Sequence, residues 1–400
     1  MDTSEEARCG GPETVFLIAG EASGDWSGSL LARALRKARP EVKLEGIGGR
    51  RMAAAGVDLH LDSSGWGAIG FFEAVCKLPV LLGALRATQR RLSSSPPTAL
   101  VLIDFGAFNL RVARAVKPLG VPMLYYFPPG SWSRRLRCAE LRDLVDAIAT
   151  PFPWSAELLA GGKAEVEWVG HPVAETARPG LPPERAWSLY RLDPNLPTVA
   201  LAPGSRDQEI RYLFPVLAET AARVNAAFPG AQFLVPVAPT VDRDHIAATL
   251  KRAGVKATLL SGMEYDALQL AQAAMVCSGT ATLEFSVLGI PMVVTYRASL
   301  ATTLQFLIFR GLVGGQRYAA MPNIIAGREI VPERMAWAAR PELLAKEVCG
   351  FLSDEVRRAQ VRRDLAEVAA TLGSPGASER TAAMVLKLLP ARKDCRVAAR

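Results

Sequence analysis

Short apolar runs with almost no polar alternation recur along the whole chain, and each is followed by a loop and then by apolar positions at helical spacing. Val15 to Ala19, Leu44 to Gly46, Ala99 to Ile103, Pro122 to Tyr126, Ala147 to Thr150 and Val166 to Val169 are the runs of the first half. Thr198 to Ala202, Gln232 to Pro236, Ala257 to Leu260, Met275 to Cys277 and Met292 to Tyr296 are those of the second. A strand that is apolar at every position has to be covered on both faces, which a parallel sheet with crossover helices on either side achieves. Leu30, Leu31, Ala34 and Leu35, in the stretch from Asp25 onward, set the first helix; Asn109 to Val116 is another, and the chain after about Pro341 reads as mostly helical.

Gly170-His171-Pro172 and the proline-rich Pro179 to Pro183 interrupt this rhythm, so the domain boundary is expected there. The chain is predicted to be α/β, with two doubly wound Rossmann-like domains facing a central cleft, residues 1–172 and 173–370. Helices from about residue 370 to residue 400 are expected either to pack back on the first domain or to exchange with a partner chain, an arrangement that suits a homodimer. Gly65 to Leu85 fits the scheme poorly: it is strongly apolar, broken by glycine, and passes into Arg86, Arg90 and Arg91. It reads either as a buried helix pair or as an apolar surface with a basic rim that meets lipid.

At 400 residues, 50% apolar and 22% charged, the chain is too long for one core and too apolar for disorder. Its net charge of +8 suits an anionic ligand or an acidic membrane surface and is too dilute for nucleic acid. Cys9, Cys76, Cys138, Cys277, Cys349 and Cys395 form no CxxC, and His60, His171 and His245 have no ligand spacing, so neither a zinc site nor a disulfide framework is expected. The acidic Met1 to Glu13 lacks the order of a signal peptide, and Ala271 to Tyr296 is interrupted by Glu284, so a cytoplasmic chain without a membrane span is predicted.

Four loops carry candidate chemistry. Gly20-Glu21-Ala22-Ser23-Gly24-Asp25 follows the first strand, where two glycines allow close approach of a phosphate or sugar hydroxyl, or simply make a turn. Its spacing is not the GxGxxG fingerprint, and no acidic residue ends the next strand as a dinucleotide site requires. Pro203-Gly204-Ser205-Arg206 ends a strand just before a helix, placing Arg206 to grip a diphosphate or to sit in a surface ion pair. Cys277-Ser278-Gly279-Thr280 leads to Glu284, one turn into a helix, a carboxylate that either accepts both ribose hydroxyls or only complements the helix dipole. Asp104 ends the strand Val101-Leu102-Ile103, where it could take a proton from an attacking hydroxyl or cap the helix that begins near Asn109. His171 reads as a structural residue.

In order along the chain, Ile18 to Asp25, Ile103-Asp104, Phe108-Asn109, Val169 to Pro172, Pro203 to Arg206, Ser278 to Glu284, Pro291 to Val294 and Pro322 to Glu329 resemble the lipid A disaccharide synthases, inverting glycosyltransferases of the GT-B type. The resemblance covers most of the chain. It implies a GT-B fold and transfer of 2,3-diacylglucosamine from UDP-2,3-diacylglucosamine to 2,3-diacylglucosamine 1-phosphate, giving a β-1,6 disaccharide and UDP. It further implies a cytoplasmic enzyme, peripheral on the inner face of the inner membrane, that uses no metal or cofactor. Asp104 would be the base and Arg206 a catalytic anion contact; Gly20, Glu21, Ser23, Gly24, Asp25, Asn109, Ser205, Ser278, Gly279, Thr280, Glu284 and Asn323 would contact substrates. Ala107 stands where the family usually has a second Asp, Pro153 where it has Glu, and Pro129 to Arg135 departs from its Pro-Ser-Val-Trp-Ala-Trp-Arg. Three alternatives share the architecture: a glycosyltransferase with another acceptor, a UDP-sugar 2-epimerase, and a non-catalytic binder of nucleotide sugar or lipid.

Overall fold

The computed structural model describes residues 13–66, 71–136, 138–297 and 317–390, the side chains of 71–76 excepted. Ile69 and the side chains of Phe71 and Phe72, within the segment read as a candidate lipid-facing surface, lie outside the described residues, as does Arg137. The chain divides into two compact units, Met1–Pro172 with Pro375–Arg400, and Val173–Ser374.

The first unit is built on seven parallel strands, β1 (Thr14–Ala19), β2 (Lys43–Gly48), β3 (Asp58–Asp62), β4 (Ala99–Ile103), β5 (Met123–Tyr126), β6 (Ala147–Thr150) and β7 (Glu165–Trp168), in the order β3-β2-β1-β4-β5-β6-β7. Alternate residues of β1 and β4 serve two cores. Val15, Leu17, Ala19, Val101 and Ile103 pack with Leu31 and Leu35 of helix Ala22–Ala38 and with Met384 and Val385 of helix Ala377–Lys387. Phe16, Ile18, Leu100 and Leu102 pack with Leu92 of helix Phe71–Ser94 and with Val112 and Val116 of helix Gly106–Val116. Both faces are therefore buried, which is why the strands carry no polar alternation; each buried Leu or Ile contributes about 1.5–3 kcal/mol. The helix Ala377–Lys387 is tied to the sheet by Arg380, whose guanidinium donates to the Val169 carbonyl at 2.9 and 2.7 Å.

The second unit repeats the plan with six parallel strands, β8 (Thr198–Ala202), β9 (Gln232–Val237), β10 (Thr258–Ser261), β11 (Ala273–Cys277), β12 (Met292–Tyr296) and β13 (Glu333–Met335), ordered β10-β9-β8-β11-β12-β13. In each sheet the winding reverses once, between β1 and β4 and between β8 and β11. The loops after those two strands leave in opposite directions, and the carboxyl ends there form the crevice where such sheets bind ligands. Glu21 and Asp104 flank the first reversal, Arg206 and Ser278 the second.

Several expectations change. Sequence reading missed β3 and β13, which lie at sheet edges; β3 alternates exposed and half-buried residues, so it lacks the fully apolar pattern of the central strands. The helix expected from Asn109 begins at Gly106, and the one expected from Asp25 begins at Ala22. The apolar segment read either as a buried helix pair or as a lipid-facing surface forms, among the described residues, one helix, Phe71–Ser94, with Pro79 inside it and Leu78, Val80 and Leu82 exposed at 47, 61 and 38%. Leu81, Ala84 and Leu85 of the same helix pack against the core.

Candidate functional site

At the reversal point of the first sheet the backbone is strained. Asp104 and Phe105 are consecutive non-glycine residues with φ of 50° and 47°, and Phe127, just past the neighbouring β5, has φ 59°. Left-handed conformations cost such residues roughly 1–3 kcal/mol each, and they persist where surrounding contacts enforce them. Here those contacts are explicit: the Asp104 carbonyl accepts from Tyr125 Oη at 2.7 Å and from Asn109 Nδ2 at 2.8 Å, while its N–H donates to the Tyr126 carbonyl at 2.9 Å. Phe105 packs over Gly20, where a Cβ would lie 2.1 Å from the ring, so only glycine allows the approach. Trp66 and Phe108 back the same ring at 5.9 and 5.5 Å between centroids.

Asp104 keeps solvent access although protein surrounds it on most sides, as a residue on a concave wall does. Burial raises its pKa from 3.8 to about 6, the negative Glu21 adds to the rise, and a hydrogen bond from the Phe105 N–H opposes it. A carboxyl with that value is ionised at neutral pH yet basic enough to accept a proton. The helix after it is capped at Phe105 without any side-chain bond, so Asp104 is not its cap. His171 is buried against Phe127, 5.2 Å between ring centroids, and burial pushes its pKa down to about 3; it stays neutral, in keeping with a structural residue.

In the second unit, Gly204 turns the chain with φ +99°, and a Cβ there would stand 2.1 Å from Glu209 Oε2. Glu209 is buried and accepts from the N–H groups of Ser205 at 2.9 Å and Arg206 at 3.1 Å, and its other oxygen meets Arg206 Nη1 at 3.1 Å. The ion pair expected as the alternative for Arg206 therefore exists, and the arginine side chain remains 50% exposed. The adjacent loop after β11 holds Ser278, whose Oγ donates to the Ala319 carbonyl at 3.0 Å, then the exposed Gly279 and Thr280. Glu284 is half-buried, and Tyr265 Oη donates to its Oε1 at 2.6 Å. The Cys277 thiol between the loops is buried and its pKa is pushed well up, which leaves it inert.

Three expected substrate contacts have other work. Asp25 is buried and accepts from the N–H groups of Gly49, Arg51 and Met52 at 2.8, 3.1 and 3.0 Å, fixing the turn after β2. Asn109 is fully buried and holds the strained turn through Ile103 and Asp104. Asn323, also fully buried, donates to the Val331 carbonyl and Glu333 Oε1 and accepts from Ile330 and Val331, so its amide is saturated. Each of these side chains bonds groups that shape its loop. Gly24 is likewise buried, 3.3 Å from Ala19 for a Cβ, whereas Ser23 is exposed. Sequence reasoning missed Phe105, Phe127, Glu209 and Tyr265; only Glu209, three residues after Arg206, had a local signal, the spacing of a capping box. Among the described residues no group of three or more His, Cys, Asp or Glu is placed to hold a metal ion, and no helix is long and apolar enough to cross a membrane.

Comparison with known proteins adds to this geometry. The family described as lipid-A-disaccharide synthetase matches residues 15–388. The lipid-A-disaccharide synthase of Geobacter metallireducens is 36% identical over 376 residues, covering 94% of this chain and 97% of that protein. Among solved structures, the UDP-GlcNAc 2-epimerase of Neisseria meningitidis, bound to UDP-GlcNAc, is similar with a TM-score of 0.59 at 10% identity, covering 94% of this chain and 100% of that one. The calicheamicin glycosyltransferase CalG4 has a TM-score of 0.58 at 16% identity, covering 94% and 98%. At such identities the structural likeness speaks for the fold alone, which is GT-B.

Proposed function

The chain belongs to the lipid-A-disaccharide synthase family, a premise from which we propose how its two units divide the formation of the lipid A disaccharide. The donor is UDP-2,3-diacylglucosamine and the acceptor 2,3-diacylglucosamine 1-phosphate. The acceptor's 6-hydroxyl oxygen bonds to the donor's anomeric carbon as the bond from that carbon to the UDP oxygen breaks, with inversion to the β-1,6 link. Asp104 takes the hydroxyl proton, while Arg206 meets the charge developing on departing UDP. Glu284, steadied by Tyr265, accepts the ribose hydroxyls, and Ser205, Ser278, Gly279 and Thr280 line the nucleotide loops. The observation that carries this reading is Asp104, a carboxyl raised to about 6 on a strained turn at a sheet's reversal point. UDP titrated calorimetrically should bind, and Arg206→Ala should weaken it about tenfold to a hundredfold, the loss of one charge-assisted contact. Unchanged affinity would remove Arg206 from the site.

Both substrates are lipids, and the helix Phe71–Ser94 supplies a way to reach them. Leu78, Val80 and Leu82 are exposed, as are Arg86 and Arg90, apolar side chains and cations on one helix that together suit an anionic leaflet. Arg91, expected on the same basic rim, is instead tied to buried Glu45 at 2.5 Å. Together with Lys43 and His60 it holds that carboxyl at a pKa of about 2. Sedimentation with anionic vesicles should carry the protein down, less at high salt but not to zero, because the apolar part is unscreened. If Leu78→Ser with Val80→Ser sediments as well as wild type, this helix is not the lipid contact.

A further inference from the structure

Glu333 stands outside the sequence motifs, yet three N–H groups converge on it. It opens the edge strand β13, and its Oε1 accepts from the backbone N–H groups of Ala319 and Ala320 at 3.1 and 2.9 Å and from Asn323 Nδ2 at 2.9 Å. Its Oε2 accepts from the Ala319 N–H at 2.9 Å. The strand that carries it is firmly mounted. On the β12 side the Val294 N–H donates to the Pro332 carbonyl at 2.9 Å and Thr295 Oγ1 to the Arg334 carbonyl at 2.7 Å. Successive side chains of a strand leave on opposite faces. Glu333 therefore turns to residues 319–323, while Arg334 turns to helix Pro341–Ser353 and pairs with its buried Glu347, which Arg357 also meets at 2.5 Å.

Hydrogen bonds to a carboxylate are about twice as strong as those between neutral groups, so Glu333 decides where the Ala319 peptide lies. That peptide reaches the loop after β11. Ser278 Oγ donates to the Ala319 carbonyl at 3.0 Å, and the Ser278 N–H donates to the Thr295 carbonyl at 2.9 Å. A serine hydroxyl has one proton to give. Here it goes to Ala319, and the side chain works as a pin on the loop. Beyond the pin come the exposed Gly279, with φ of 155°, and the exposed Thr280. Glycine adds backbone freedom, so the order of this loop has to come from contacts outside it.

We propose that Glu333 is a positioning residue for the nucleotide: acting through Ala319 and Ser278, it holds the loop after β11 in the form that receives UDP. The inference rests on the UDP site proposed above and adds to it a carboxylate that acts through two other residues. UDP calorimetry and steady-state kinetics test it. Glu333→Ala should weaken UDP about tenfold and raise KM for the donor by a similar factor, with KM for the acceptor unchanged. Ser278→Ala breaks the other end of the same link and should cost about as much. Because one link is lost in each, the double variant should match the more affected single one. If Glu333→Ala does not fold, Glu333→Asp takes its place, since the shorter side chain withdraws the carboxylate from Ala319 and keeps the charge. Wild-type UDP affinity in either single variant, additive losses, or an equal rise in both KM values overturns the inference and makes Glu333 an anchor of the fold alone. The nucleotide site still stands in those cases, provided that Arg206→Ala weakens UDP. Wild type that does not bind UDP, or Arg206→Ala that binds it as tightly as wild type, overturns the site itself and the inference with it.

Discussion

Asp104→Asn should lower disaccharide formation by about two to four orders of magnitude while UDP binds as in wild type. The amide keeps the shape of the side chain and removes only its basicity, so the loss isolates proton acceptance. The pH profile supplies an independent check. A base has to be ionised, and burial together with Glu21 raises this carboxyl to about 6, so kcat/KM should fall about tenfold per pH unit below that value. Glu21→Gln should move this acid limb to lower pH. Stability should run the other way. The folded-state value lies above the ordinary 3.8, so the folded state binds the proton more tightly than the unfolded one, and the ionised carboxyl is a burden on folding. That burden is fully present above about pH 6 and disappears as pH falls toward 4, so Asp104→Asn should melt higher than wild type at pH 8 and no higher at acid pH. A variant that keeps most of its turnover rules the role out. One that is slow but melts lower at pH 8 indicates damage to the turn instead.

The strain at this turn explains what the sequence could and could not convey. Ala99 to Ile103 was legible because all five residues are fully buried on a central strand, and the position of Asp104 at its end followed. The left-handed backbone was not legible, since it depends on Phe105 lying over Gly20, Tyr125 reaching back to the Asp104 carbonyl, and Asn109 bonding the same oxygen. Two of those three partners are remote in the chain. The same limit applies to Asp25 and Asn323. Each stands in a glycine-bearing or strand-end motif and has the donors or acceptors of a ligand contact, but Asp25 spends its oxygens on N–H groups 24 to 27 residues away. Asn323 spends its amide on the entry to β13, a three-residue edge strand that sequence reading missed. A polar side chain's type shows what it can bond, and only the fold shows whether backbone groups have already claimed it. The loop after β8 is more local: Glu209 serves Ser205 and Arg206 from within one turn of helix.

That local design predicts a coupled pair of effects on nucleotide binding. Gly204→Ala would force a side chain into a left-handed position and set its Cβ 2.1 Å from Glu209 Oε2, so the carboxylate would have to leave the N–H groups of Ser205 and Arg206. Glu209→Ala removes the same acceptor directly and releases the Arg206 guanidinium from its 3.1 Å contact. Either change leaves the loop without the group that orients it, and each should weaken UDP by about a hundredfold or more, as two or more charge-assisted bonds at about 1.5–3 kcal/mol each are lost or misplaced. Because both act through one loop, the double variant should bind UDP little worse than the weaker single variant, a clear departure from additivity. Calorimetry across the four proteins measures this. Additive losses would mean that the residues act on UDP separately. Wild-type affinity in Glu209→Ala, with only a lower melting temperature, would make the carboxylate a fold anchor and take the Gly204 to Arg206 loop out of the nucleotide site.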